Sequence, residues 1–158
     1  MEFKRSHIEI SADDILSDAK ERKASGWRYV QILAVFKDDK IDLVYSYMKE
    51  GLLEDVLVYA NKKGDTLQSI SGEYLEAFVC ENEINDLYGI HFDNLKIDFK
   101  GNFYALAQSE PMTVISAAEL ARREKEAKIK AALEAKKKKE AASQGEKSSS
   151  DSTVKEDK

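Results

Sequence analysis

Every Trp, Tyr and Phe of this 158-residue chain lies at or before Tyr104, while residues 117–140 are almost all Ala, Glu, Lys, Arg and Leu. Aromatic side chains supply much of a core's buried area, so a packed body should end near Gln108 and a different kind of polymer should follow. That one asymmetry sets the expected organisation: a domain over 1–110, a charged helix over 111–142 and a disordered tail over 143–158. The length suits a single domain with a real core, and two would be crowded.

Charge divides in the same place. Residues 1–114 carry 21 acidic against 13 basic side chains and residues 115–158 carry 9 against 12, for an overall net charge of −5. An acidic body opposes nucleic acid, whose phosphates would be repelled over the range at which such binding begins. The single cysteine, Cys80, makes no internal disulfide, so a reducing compartment is expected. No apolar run approaches the roughly 20 residues of a membrane helix, and the N-terminal MEFKRSHIEI alternates charge with apolar residues, unlike a signal peptide. These features predict a cytoplasmic chain that reaches a membrane only through partners, or weakly through the basic run 136–139.

Within the body, helix and strand patterns alternate. Ser11 stands before ADDILSDAKERKA as a cap, with Asp13 and Asp14 in the first turn and Gly26 as the stop. Residues 27–37 (WRYVQILAVFK) are apolar on both faces and read as a central strand; Asp38-Asp39 marks a tight turn, and 41–48 and 54–61 read as further strands. Two hairpins with a helix on one face predict an α+β two-layer domain with an antiparallel-rich sheet. After a loop over 61–72, with a short extended piece at 67–70, Ser71 is placed to cap a helix from Glu73 to Gly89. On that helix Ala77, Cys80, Ile84, Leu87 and Tyr88 make the apolar stripe, and Glu81, Glu83 and Asp86 form an acidic border.

Glu81 and Glu83 are two residues apart and point to different sides of a helix. The set therefore reads as border charges, solvated or paired with a partner's basic groups, before it reads as catalytic. His7, His91 and Cys80 are too scattered for metal-ligand spacing. Cys80 fits a small core residue and His91 a solvent-facing strand position. Phosphate-binding Gly-rich loops, Gly-x-Ser-x-Gly and Cys-x-x-Cys are all missing from the sequence.

Residues 81–92 (ENEINDLYGIHF) resemble the signature of the 30-kDa subunit family of respiratory complex I, the NADH-quinone oxidoreductase. That signature runs Glu-Arg-Glu, an apolar and a variable residue, Asp, two apolar residues, then Gly-Ile-x-Phe. Glu81, Glu83, Ile84, Asp86, Leu87, Tyr88, Gly89, Ile90 and Phe92 match it, and Asn82 stands where arginine is usual. The LQSI at 67–70 is similar to the family's step before this helix. The continuation DNLKIDFKGNFY lacks the family's Gly-His-Pro and Arg-rich segment, and looks more like the short counterpart in energy-converting membrane-bound [NiFe] hydrogenases.

The resemblance implies a structural subunit that carries no cofactor itself. Its implied partners are a hydrogenase-like large subunit and an iron–sulfur small subunit on the inner face of the cell membrane. Those partners would hold iron–sulfur clusters and, in the hydrogenase version, a Ni–Fe centre. Glu81, Glu83, Asp86, Gly89 and Phe92 would lie at the interface with them. The alternatives are a free-standing cytoplasmic adaptor or chaperone-like module, and a small α+β enzyme whose site the sequence does not disclose.

Overall fold

A computed structural model describes residues 4–114, together with the helical positions 121, 122, 125 and 129. Most of the expected charged helix over 111–142, and all of the tail over 143–158, lie outside the described residues. Up to Val114 the chain forms one compact unit.

The expected α+β layering is present, with a mixed rather than purely antiparallel sheet. Four strands, β1 (Lys4–Glu9), β2 (Arg28–Lys37), β3 (Lys40–Lys49) and β4 (Leu52–Asn61), lie in the order β1-β4-β3-β2. β2, β3 and β4 pair antiparallel, whereas β1 runs parallel to β4. Asp38 and Asp39 turn the first hairpin, and Glu50 and Gly51 turn the second, each pair with positive φ. Two such residues in succession match the right-handed twist of the strands they join.

The strand at 27–37 is not central. It forms the edge of the sheet, and its doubly apolar pattern has a different cause. Tyr29, Ile32 and Ala34 alternate inward and pair in register with Tyr47, Tyr45 and Leu43. Their neighbours Leu33 and Val35 face outward, and Leu33 is 49% exposed. Leu33, Val44 and Leu57 form one cross-strand row of that outer face. β1 had no apolar alternation strong enough to announce it, and polar contacts help to fix it: Ser6 donates to Glu54 Oε2 (2.8 Å) and Arg5 Nε to Asp55 Oδ2 (2.6 Å).

α1 (Ile15–Ala24) and α2 (Ala77–Tyr88) supply Ile15, Ala19, Ala77 and Ile84 to the core on the inner face. A short 3₁₀ turn, Ala12–Asp14, leads into α1, and Ser11 Oγ accepts the Asp13 N–H (3.4 Å). Gly26 ends α1 with φ +80°. Beyond β4, the short strand β5 (Thr66–Gln68) pairs in parallel with β6 (His91–Asp93), so the turn at residues 62–65 leads the chain into a second small sheet.

Ser71 does not cap α2. The helix begins four residues later than expected, at Ala77, and Glu76 precedes it without a side-chain cap. The intervening turns are pinned by Tyr74, whose hydroxyl donates to Trp27 O (3.0 Å) and whose ring packs 5.6 Å from Tyr47 and 5.9 Å from Tyr29. The Ser71 hydroxyl instead accepts the Lys96 N–H (3.0 Å).

Two core hydroxyls, those of Tyr29 and Tyr45, are left over among the described residues. The Tyr45 hydroxyl is buried with no hydrogen-bond partner among the described residues. An orphaned buried hydroxyl costs about 1–3 kcal/mol, so Tyr45→Phe should raise stability by about 1 kcal/mol. A urea midpoint lower than wild type would refute this.

Candidate functional site

The polar residues of α2 reach inward more than the sequence pattern suggested. Glu81 is 0% exposed. Its Oε1 accepts the Ile70 N–H (2.8 Å) and its Oε2 the Ser69 hydroxyl (2.7 Å), so one carboxylate fixes the loop between β5 and Tyr74. Burial pushes the Glu81 carboxyl above its ordinary value, and those two hydrogen bonds oppose the shift without cancelling it. In place of a solvated border charge, this position holds an internal clamp.

Asn82, where the family pattern has arginine, is equally buried. Its amide donates to Phe78 O (2.7 Å) and to Ile97 O (2.8 Å), while its Oδ1 accepts the Phe99 N–H (2.9 Å). The neutral amide both donates to and accepts from the chain after β6, which an arginine, with donors alone, cannot do. Asn82 thus holds the segment after β6 by hydrogen bonds of both senses.

Asp86, 5% exposed, makes the third attachment. Its Oδ2 accepts the Tyr104 N–H (2.8 Å), and its backbone carbonyl accepts the Glu110 N–H (3.2 Å). Its Oδ1 is buried with no partner among the described residues. Glu83 is only half-buried and accepts the Tyr104 hydroxyl (3.3 Å). The helix ends at Gly89 in the left-handed region (φ +73°), with its N–H donating to Asn85 O. A Cβ there would meet only the movable end of the Glu110 side chain, so the left-handed cap is what calls for glycine. Glu110 also pairs with Lys63.

Ile90 is fully buried and Phe92 packs against the core, as the pattern predicts. His91 is exposed on β6 and its Nδ1 meets Asn85 Oδ1 at 2.9 Å. Cys80 is a half-buried free thiol beside the core.

Between the C-terminal half of α2, β6 and the 95–110 segment lies a cavity of about 700 Å³. Asp86, Phe92, Asp98, Lys100, Tyr104 and Glu110 are among its lining residues. Among the described residues no group of three His, Cys, Asp or Glu side chains is gathered closely enough to hold a metal ion. Both Glu81 oxygens are engaged by the domain's own donors. The arrangement ties three loop segments to one helix and leaves one buried carboxylate oxygen, Asp86 Oδ1, without a partner among the described residues.

Residues 8–99 match the family described as respiratory-chain NADH dehydrogenase, 30 Kd subunit. The chain belongs to that family. Two solved structures similar to this 30-kDa-family chain agree in fold. One, from the membrane-bound sulfane sulfur reductase, an archaeal respiratory membrane complex, is 18% identical with a TM-score of 0.62, over 77% of this chain and 78% of its own. The other, a trypsin-resistant fragment of Nqo5, is 18% identical with a TM-score of 0.51, over 58% of this chain and 80% of its own. No curated protein matches the sequence. As a 30-kDa-family member the chain is related to subunits of multi-subunit respiratory complexes, and among its described residues no helix is long and apolar enough to cross a membrane.

Of the five residues that the sequence offered as a partner interface, Glu83 and Phe92 are half-buried, Asp86 lines the cavity, and Glu81 and Gly89 are buried behind them. Sequence reasoning passed over Asn82 and Tyr104. The only signal for Asn82 was its replacement of arginine, and for Tyr104 its place as the last aromatic residue.

Proposed function

We propose that this chain is a non-catalytic structural subunit of the hydrophilic arm of a complex I-related membrane-bound oxidoreductase, of the energy-converting [NiFe] hydrogenase type. The observation that carries the reading is family membership over residues 8–99. The short continuation after Phe92, held by Asn82 and Asp86, supports the hydrogenase version. In this reading the chain contributes no cofactor. It packs against a hydrogenase-like large subunit and an iron–sulfur small subunit, excludes water from their redox centres and fixes their spacing, on the inner face of the membrane. Glu83 and Phe92 meet the partner, and Asp86 lines the cavity at that surface. Glu81 and Gly89 hold the shape of that surface from behind. The outward Leu33, Val35 and Val44 on the open sheet face also suit a chain that works within an assembly, since an apolar face of this kind favours cover.

A second reading is a sulfur-reducing complex, because one of the similar structures comes from a sulfane sulfur reductase. Purification of the tagged full-length chain from native membranes in mild detergent separates the readings. Co-elution with large and small redox subunits, with iron and nickel present and hydrogen evolved from reduced ferredoxin, is the expected result. Iron without nickel, together with polysulfide reduction, would favour the second reading. A chain that elutes alone would instead be a free-standing adaptor, and the proposal would be wrong.

A further inference from the structure

The two edges of the four-stranded sheet are built differently. β1 carries Lys4, Arg5, His7 and Glu9 along an exposed strand, and charges of this kind keep an edge from pairing with another chain. β2 carries charge only at its ends, Arg28 and Lys37; the intervening YVQILAVF has no charged residue, proline or glycine. Its one guard is the irregularity between Tyr29 and Gln31, which leaves 31–37 as an unbroken run. The outward side chains of that run are uncovered, with Leu33 49% and Val35 43% exposed. A long apolar edge of this sort is a template for pairing.

The hairpin register identifies which backbone groups face out. Asp38 and Asp39, both with positive φ, form a two-residue turn, so Lys37 and Lys40 are a hydrogen-bonded pair. Alternation then turns the N–H and C=O of Val35 and Leu33 toward β3, and those of Phe36, Ala34 and Ile32 away from it. β2 ends the strand order, and beyond its ladder with β3 residues 28–37 make no backbone–backbone hydrogen bond among the described residues. Donors and acceptors repeating at every second residue along one line are the complement of an extended chain. A helix does not supply them, because its own turns use its backbone groups.

Charge says more about the occupant. Lys37 stands in register with Lys40, a like-charge pair that an acid on an added strand would relieve. Two copies of this chain would instead bring together acidic bodies, each with 21 acidic against 13 basic side chains over 1–114. We propose that β2 is the receiving edge for an extended strand of a partner subunit, which continues the sheet with apolar residues beside Leu33 and Val35 and an acidic residue opposite Lys37. This rests on the subunit reading above and deepens it by naming the partner's element and chemistry.

Amide exchange on the full-length chain, alone and in the complex recovered with it from native membranes, reads the backbone directly. In the isolated chain the Ile32, Ala34 and Phe36 amides should exchange fast, while those of Leu33 and Val35 are protected. In the complex the first three should slow by at least roughly a hundredfold. Recovery of partner subunits without that slowing would overturn the added strand and leave the subunit reading standing. A chain that elutes without partners would overturn both. Protection of the same three amides in the isolated chain, as a monomer or as a dimer by light scattering, would show the edge taken by the chain itself or by a second copy, and would overturn the proposal.

Ala34→Pro removes an N–H that the β3 ladder does not use. The variant should keep its protection at Leu33 and Val35 and recover partner subunits roughly tenfold less than wild type. Full recovery with a folded variant would overturn the proposal, and the exchange contrast in the wild-type chain decides it whether or not this variant folds.

Discussion

Glu81→Ala should lower the stability of the isolated chain by about 3 kcal/mol, most of it from one buried N–H. Truncation leaves Ile70 N–H without its acceptor in a fully buried loop, and an orphaned donor of this kind costs about 1–3 kcal/mol. The Ser69 hydroxyl loses a charge-assisted acceptor as well, though it keeps Ser71 Oγ at 2.6 Å. Glu81→Gln should behave quite differently. Its carbonyl still accepts from Ile70, and its amide can donate to Ser69 once that hydroxyl turns to Ser71.

The pH dependence of Glu81→Gln has a definite sign. Because desolvation raises the folded-state value of Glu81 above 4.5, the native state holds the proton over a range in which the unfolded chain has released it. Wild-type stability from this group is therefore fully present below the ordinary glutamate value and declines as pH rises through the folded value. Glu81→Gln should match wild type near pH ~4 and gain on it as pH rises toward ~7. Urea unfolding across that range decides the matter; a gap that moves the other way would mean that the domain stabilises the charged carboxylate.

Arg22→Ala should be the most damaging single change in the sheet–helix layer, costing about 3–5 kcal/mol. Arg22 is 7% exposed on α1. Its Nε donates to Asp18 Oδ2 (2.8 Å) and its Nη2 to Glu54 Oε1 (2.7 Å), while the guanidinium lies 4.9 Å from the Tyr47 ring and 5.1 Å from Trp27. Removal abandons two partly buried carboxylates and strips the stem from the aromatic cluster. Arg22→Lys should recover only part of the loss, since an ammonium lacks the fork and the stacking plane.

Acid should narrow the deficit of Arg22→Ala. Desolvation alone would raise the Glu54 carboxyl, but hydrogen bonds from Arg22 and Ser6 and the nearby guanidinium charge win, so its folded value is lowered. Stability from that group is present above the unfolded value of about 4.5 and is lost as pH falls through the folded value. Thermal unfolding of both variants at pH ~7 and pH ~3 would check this. A deficit that stays constant with pH would argue that packing, not charge, dominates at Arg22.

What could be read from residue order was whatever depends on near neighbours. The turn at Asp38-Asp39, the stops at Gly26 and Gly89, the strand segments read at 27–37, 41–48 and 54–61 (observed over 28–37, 40–49 and 52–61) and the helical run before Gly89 are local events, set by backbone preference and side-chain period. β1 was missed because its exposed polar residues carry little core pattern, and its place beside β4 comes partly from Arg5 and Ser6 meeting acids some fifty positions away. The late start of α2 was hidden for the same reason: Tyr74 answers to Trp27, Tyr29 and Tyr47, none of them adjacent in sequence.

By itself the sequence determined the α+β class, the family signature in 81–92 and the separation of an aromatic body from a charged C-terminal third. Only the tertiary structure decided that Glu81 and Asn82 face inward, that β2 is an edge, and that Asp86 keeps one oxygen without a partner among the described residues. The physical reason is that helical period assigns charged groups to a border on average, whereas a buried polar group is tolerated wherever the fold brings it partners. The partners here are Ile70, Phe99 and Tyr104, brought to α2 by loops from both sides of it in the chain.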